Sequence, residues 1–232
     1  MAHRAVEPWR SGVRAQPPGR ALAPVIQPAG WAAASDAPLH PSRALTKFLA
    51  SLIAKEQPVL LDLGPVVGSN VTFFGEQLGC KIFVEDLSKD IDRHVKEGIL
   101  DALPAFLAKR FPQDTATVDG ILCWDVFDYL DKAAASPLAT QLTRILRPDG
   151  ALLAFFSTEE PKPGAAKPSY TRHIVADEGN LQHRPYPAAR GKQRPMQNRD
   201  IQRMFEPLRI TEQFLLKNKM RELLFRKPAN TL

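Results

Sequence analysis

The residues with the clearest capacity for chemistry lie in one short segment, Asp62-Leu63-Gly64, which is followed by Gly68. The segment joins an apolar run, Val59-Leu60-Leu61, to a run of helical periodicity, so a buried strand there leads into a helix. Glycines at such a turn let the backbone approach a ligand closely, and the first turn of the helix offers unpaired N–H groups to polar or anionic groups. The segment therefore predicts one wall of a ligand site, with Asp62 as a hydrogen-bond acceptor.

A second acidic segment, Glu85-Asp86, ends the next apolar run, Lys81-Ile82-Phe83-Val84. It follows the glycine turn by about 20 residues, the spacing at which an acid accepts hydrogen bonds from ribose hydroxyls in dinucleotide-binding folds. Adjacent residues of a strand point to opposite faces, so only one of the two acids can face such a ligand. Together the two segments predict a pocket for an adenosine-bearing cofactor, since ligands of such sheets bind outside the carboxyl ends of the strands.

Alternating strands and helices must position these residues. This alternation favours an α/β fold with a doubly wound, mostly parallel sheet. Only three residues link the last two strands, so those strands must pair antiparallel. The predicted strands are 59–61, 81–84, 120–124, 151–156, 208–216 and 220–226, and the predicted helices are 42–53, 68–78, 89–111 with a break at Pro104, one opened by Ser136-Pro137, and one near 198–205.

In this order the motifs resemble the class I S-adenosylmethionine-dependent methyltransferases, over residues 42–156 and 198–227. The resemblance implies a Rossmann-like, seven-stranded sheet with the terminal antiparallel pair. It rests on Leu61-Asp62-Leu63-Gly64 with Gly68 as the first motif, Val84-Glu85-Asp86-Leu87-Ser88 as the second-strand acid, Val118-Asp119-Gly120-Ile121-Leu122-Cys123-Trp124-Asp125 as the fourth strand, and Leu146-Arg147-Pro148-Asp149-Gly150-Ala151-Leu152 as the turn into the fifth.

The resemblance also implies a function and a set of cofactor contacts. The chain would transfer a methyl group from S-adenosylmethionine to a small-molecule acceptor. Methyl transfer is an in-line displacement that alignment alone can accelerate, so no side chain is assigned as catalytic. By resemblance Asp62, Gly64 and Gly68 would line the methionine moiety, Asp86 would hold the ribose, and Cys123 and Trp124 would lie near the sulfonium.

Two departures from the family pattern bear on this prediction. The middle glycine of the first motif is Val66, which places a β-branched side chain where backbone would contact the cofactor. The third strand is not recognisable, and Asp101 is a candidate for its adenine-contacting acid. Val66 motivates an alternative function, a non-catalytic module of the same fold that binds RNA or a protein partner through a basic C-terminal third. A nicotinamide-dependent oxidoreductase is disfavoured by the glycine pattern.

The segment 157–197 interrupts the alternation of strands and helices with six prolines and a predicted hairpin, 170–176 with 181–186. By resemblance it would cover the substrate side of the site. His173 and His183 lie in the hairpin with two tyrosines and two arginines, so either histidine could act as a general base, although the pattern favours histidines on the surface of a loop. The remaining side chains are Tyr170, Arg172, Arg184 and Tyr186.

The composition is that of a globular protein and excludes a disulfide-rich or zinc-binding one. The 232 residues are 44% hydrophobic and 24% charged, as in an ordinary globular protein. Residues 160–232 carry 15 Lys and Arg against seven acids, a net charge of +8, which could attract phosphate or nucleic acid. Two cysteines, Cys80 and Cys123, give neither a disulfide framework nor zinc-ligand spacing, so no metal site is predicted.

The N-terminal residues 1–40 are rich in proline, alanine and arginine and lack apolar periodicity. They are predicted to form a disordered tail, with an organelle transit peptide or an over-extended start codon as alternatives. Residues 41–232 would form one domain. No apolar run approaches the roughly 20 residues of a transmembrane helix, so we expect a cytoplasmic protein.

Overall fold

The computed structural model describes residues 37–161 and 167–229, which form nine strands and six α-helices. A π-helical turn, Phe73–Gln77, continues the second helix, and short 3₁₀ turns precede α4 and α5. The strands are β1 (Leu39–Pro41), β2 (Val59–Asp62), β3 (Lys81–Val84), β4 (Val118–Trp124), β5 (Leu146–Ser157), β6 (Ser169–Val175), β7 (Asn180–Pro187), β8 (Arg209–Leu215) and β9 (Met220–Arg226). The helices are α1 (Arg43–Ile53), α2 (Gly68–Thr72), α3 (Leu87–Lys96), α4 (Leu103–Leu107), α5 (Lys132–Ile145) and α6 (Asn198–Met204).

The central sheet has the strand order β3-β2-β4-β5-β9-β8. Its first three pairings are parallel, and β9 pairs antiparallel with both β5 and β8. The α/β class, the mostly parallel sheet and the terminal antiparallel pair are therefore confirmed. Every residue of β4 is buried, as expected for a central parallel strand with helices on both faces.

The prediction of seven strands in this sheet is wrong, because six are formed in the described part of the chain. The segment between α3 and β4 is helical instead of containing a third strand. Leu103 and Leu107 stand one helical turn apart and both are buried in the core. Pro104 lies in the first turn of α4, where its missing N–H costs no hydrogen bond.

The two faces of the sheet bury separate cores. On one face α1 packs with Phe48 and Leu52 against β4, and Ser42 caps this helix through its hydroxyl, which accepts the N–H of Leu45 at 3.2 Å. On the other face α5 begins at Lys132 rather than at Ser136. Asp131 provides the N-cap, so Pro137 lies inside the helix.

A second, three-stranded sheet of β1, β7 and β6 crosses the carboxyl ends of the parallel strands. Its hairpin confirms the predicted pairing and aligns His173 with His183 and Tyr170 with Tyr186. Asn70, at the start of α2, fixes the hairpin: its amide donates to the carbonyl of His173 at 2.9 Å and accepts the N–H of Val175 at 2.9 Å.

The last two residues of the predicted tail, Leu39 and His40, belong to strand β1. Leu39–Pro41 pair with β7, so ordered structure starts before the predicted boundary at residue 41. The rest of the predicted tail, 1–36, lies outside the described residues. Within 37–161 and 167–229, no helix is both long enough and apolar enough to cross a membrane.

Candidate functional site

The glycine turn after β2 is closed by the indole of Trp124. Asp62 is 2% exposed, and its Oδ1 accepts hydrogen bonds from the N–H of Gly64 at 2.9 Å and from Nε1 of Trp124 at 2.7 Å. A Cβ built on Gly64 would lie 2.8 Å from Cδ1 of that indole. The close approach that the glycine permits is therefore made by a side chain of the same protein.

Burial dominates the electrostatics of Asp62. It raises the pKa of this carboxyl from 3.8 to about 6, although the hydrogen bonds from Gly64 and Trp124 oppose the shift. The two donors are those expected for an ionised carboxylate, but the low polarity around it disfavours the charge. Asp62 is thus a carboxyl with a raised pKa, and both of its hydrogen-bond donors belong to the same chain.

The two acids that follow the end of β3 have different partners. Glu85 forms an ion pair with Arg110 at 2.8 Å. Asp86 accepts the hydroxyl of Ser88 and pairs with Lys89 at 3.3 Å. Tyr186 of the hairpin reaches the same serine, with its hydroxyl 3.0 Å from Oγ of Ser88. Asp86 therefore lies beside the cleft but is linked to the hairpin through Ser88.

The other predicted cofactor contacts are scattered. Val66 is 64% exposed, so its side chain points to solvent and does not fill the recess. A Cβ on Gly68 would meet nothing within 4 Å. Cys123 is fully buried in the core on the opposite face of β4 from Trp124, and burial raises the pKa of its thiol. Asp101 is exposed on the 3₁₀ turn before α4.

The cleft beside the glycine turn is filled by four aromatic side chains. Trp124, Tyr129, Tyr170 and Tyr186 line a cavity of about 20 Å³ together with Gly64 and Ser88. Pockets for ligands of drug size have volumes of roughly 300–1,000 Å³. The residues present therefore do not fit S-adenosylmethionine in this structure, although Asp62, Gly64 and Asp86 do gather at the predicted edge of the sheet.

A larger polar pocket of about 200 Å³ lies next to the closed cleft. It lies between the hairpin, the end of β5 and the start of β9. His173 stacks on Trp124 with ring centroids 5.1 Å apart, and its Nε2 is 3.1 Å from Oδ1 of Asp125. Lys192 donates to Asp125 at 3.0 Å and to Asp128 at 2.8 Å. We call this cavity the hairpin pocket.

The charged partners of Asp125 decide its protonation state. Burial would raise the pKa of this carboxyl, but the interactions with His173 and Lys192 outweigh burial and hold the pKa well below its usual range. Asp125 is therefore ionised at neutral pH and orients the imidazole of His173. Such a carboxylate–imidazole pair can hold a proton acceptor in a fixed position.

Sequence reasoning singled out His173 and His183 but missed several groups around this pocket. Glu222 is 1% exposed and lies in the mostly buried strand β9, next to Arg221. A single acid in a buried strand is a signal that could have been used, because isolated buried charges are costly. Lys192 and Asp128 gave no such signal, since a loop lysine and an acid in a short turn are ordinary surface residues.

No family model and no curated protein matches this sequence. Among solved structures, the chain is similar to the 1,6-didemethyltoxoflavin-N1-methyltransferase of Burkholderia thailandensis, at 15% identity and a TM-score of 0.47, over 81% of this chain and 78% of that one. It is also similar to a TehB-like S-adenosylmethionine-dependent methyltransferase from Corynebacterium glutamicum, at 15% identity and a TM-score of 0.47, over 79% and 87%.

A third similar structure is a putative sarcosine dimethylglycine methyltransferase from Galdieria sulphuraria, at 12% identity and a TM-score of 0.46, over 80% of this chain and 82% of that one. The structural matches thus fall among S-adenosylmethionine-dependent methyltransferases at low sequence identity.

Proposed function

We propose that this chain is a small-molecule-binding protein built on a methyltransferase-like fold, and that it does not bind S-adenosylmethionine in the cleft beside the glycine turn. The observation that carries the proposal is the contact of Trp124 with Gly64 and Asp62. A methionine moiety at this turn would need the place that the indole takes. The hairpin pocket next to the cleft has a volume of about 200 Å³ against about 20 Å³, so it has more room for a small ligand.

The energetic cost of opening the cleft supports this proposal. A ligand that displaced Trp124 would break a buried hydrogen bond to a carboxylate, which contributes about 1.5–3 kcal/mol. Two further hydroxyls would lose their partners, since Tyr170 donates to Asp92 at 2.8 Å and Tyr186 contacts Ser88. Each 1.4 kcal/mol of cost weakens binding about tenfold, so the closed cleft strongly lowers the affinity for any nucleoside.

Calorimetric titration of the full chain with S-adenosylhomocysteine tests the proposal. We expect no saturable heat at millimolar ligand for the wild-type protein. Trp124→Ala should gain measurable affinity, because it removes the indole from the turn. Phe214→Ala is the matched control, since it deletes a partly buried aromatic ring on β8, away from the cleft. Saturable micromolar binding by the wild-type chain would refute the proposal.

A methyltransferase acting on a small-molecule acceptor is the second candidate function. It is favoured by the gathering of Asp62, Gly64 and Asp86 at one edge of the sheet, beside a polar pocket. In that case the hairpin would have to leave the cleft before the cofactor entered. The same titration separates the two candidates, because saturable binding by the wild-type chain would place the methyltransferase first.

The alternative of RNA or protein binding through the basic C-terminal third has less support. Several of its cations have partners inside the molecule. Lys192 serves Asp125 and Asp128, Arg221 is 8% exposed and donates to the carbonyl of Met196, and Lys227 donates to the carbonyls of Thr143 and Leu146. These three cations are therefore turned away from a polyanion, whereas others of this third, such as Arg184 and Arg199, are exposed.

A further inference from the structure

The hairpin pocket contains three polar atoms that lack partners among the described residues. They are Nδ1 of His173, Nε2 of His183 and Oε1 of Glu222. His173 is 4% exposed and Glu222 is 1% exposed. A buried polar atom without a partner costs about 1–3 kcal/mol, and native proteins contain few of them. Three such atoms around one cavity therefore indicate that a ligand provides the missing partners.

The charges around the pocket leave one carboxylate without a cation. Lys192 is shared between Asp125 and Asp128, so its charge is already compensated. Glu222 forms no ion pair within 37–161 and 167–229. It accepts hydrogen bonds from the hydroxyl of Ser42 and from the N–H groups of Arg43 and Ala44 at the start of α1, but burial still raises its pKa. Its compensation comes from donors at the start of α1, so a cation in the pocket would be the first charged partner of Glu222 among the described residues.

Each imidazole has a tautomer that presents an acceptor to the pocket. In the tautomer of His173 whose Nε2–H donates to Asp125, Nδ1 is an acceptor. Burial lowers the pKa of His183 to about 3, so this ring is neutral at pH 7. Its Nε2 accepts when the proton is on Nδ1. Two nitrogens and one carboxylate oxygen thus form a set of three acceptors.

A primary ammonium group is the complement of this set. It has one positive charge, three N–H donors and no acceptor. The remaining walls of the pocket include Phe155, Leu181, Leu216 and Met220, which can contact a short apolar tail. No group of three or more His, Cys, Asp or Glu side chains in the described residues has the arrangement of a metal site, so an organic cation fits better than a metal ion.

We propose that the hairpin pocket binds a small primary amine as its ammonium form, with Glu222 as the counter-ion and His173 and His183 as the two further acceptors. The inference rests on the proposed small-molecule-binding function and names the chemical class of the ligand. It does not depend on the state of the cleft beside the glycine turn, so its test and the titration with S-adenosylhomocysteine can fail separately.

Three probes of equal size test the charge and the donors: n-butylammonium, 1-butanol and butyrate. We expect saturable chemical-shift changes in the histidine ring ¹⁵N–¹H spectrum with butylammonium, and none with the other two probes. Glu222→Gln should weaken butylammonium binding by about tenfold or more, the scale of a lost charged partner. Glu212→Gln is the matched control, since Glu212 lies on the neighbouring strand β8 and pairs with Lys47.

Equal binding of all three probes would refute the inference, because the pocket would then be an apolar cavity without charge selection. Stronger binding of butyrate would also refute it and would indicate a protonated Glu222 and charged histidines. The absence of saturable chemical-shift changes with millimolar butylammonium would refute the inference as well. If circular dichroism shows that Glu222→Gln does not fold, the three probes on the wild-type chain decide alone.

Discussion

At the scale of single residues, the contact between Gly64 and Trp124 makes the turn after β2 intolerant of any side chain. Gly64→Ala places a methyl group 2.8 Å from the indole and 3.2 Å from Oδ1 of Asp62. Overpacking of this kind costs about 1–3 kcal/mol, so urea unfolding should show that loss. Gly68→Ala is the control and should change stability by less than about 0.5 kcal/mol. Equal effects of the two substitutions would contradict the close packing.

Asp62 also predicts a pH dependence of stability. Its pKa is about 6 in the folded protein against 3.8 for the free side chain. The folded state therefore binds more protons between these values, and the free energy of unfolding falls as the pH rises through this window. In Asp62→Asn, the decrease in the free energy of unfolding between pH 4 and pH 7 should be smaller by up to about 3 kcal/mol. Urea unfolding at pH 4 and pH 7 measures it.

Asp101→Asn provides the control for this pH dependence, because Asp101 is exposed. It should keep the wild-type slope between pH 4 and pH 7. If Asp62→Asn has the same slope as the wild-type chain, the carboxyl of Asp62 is not desolvated as described.

At the scale of elements, the hairpin of β6 and β7 depends on one asparagine. Asn70→Ala removes both hydrogen bonds that join α2 to β6 and leaves a buried carbonyl and a buried N–H without partners. A loss of about 2–4 kcal/mol is expected, with faster amide hydrogen exchange in β6 and β7 than in β4. Asn218→Ala is the control, since its hydrogen bond to Met220 is exposed. Unchanged exchange in β6 after Asn70→Ala would show that the hairpin is held elsewhere.

The sequence predicted the elements that local patterns determine. The apolar runs of β2, β3 and β4, the Ser42 cap of α1 and the three-residue link between β8 and β9 each follow from neighbouring residues. The predicted start of α5 is wrong because Ser136-Pro137 is a good helix opening, whereas Asp131 is an equally good cap five residues earlier. The missing third strand could be suspected only from the lack of a β pattern before β4.

At the scale of the whole molecule, the site depends on contacts between distant segments, and local patterns do not contain them. Trp124 could be placed at the end of β4, but its rotation onto Gly64 requires the hairpin that stacks His173 on it. Glu222 joins the hairpin pocket from β9, about a hundred residues from Asp125 in sequence. The family resemblance predicted the architecture. That aromatic side chains fill the cleft beside the glycine turn could be learned only from the structure.

The central claim concerns the place beside Gly64, and a crystal structure grown with millimolar S-adenosylhomocysteine tests it most directly. We predict density for the Trp124 indole against Gly64, with Nε1 on the carboxylate of Asp62 and Tyr186 beside Ser88. Density for a nucleoside between Gly64 and Asp86, with Trp124 and the hairpin displaced, would contradict the claim and assign the chain a methyl donor.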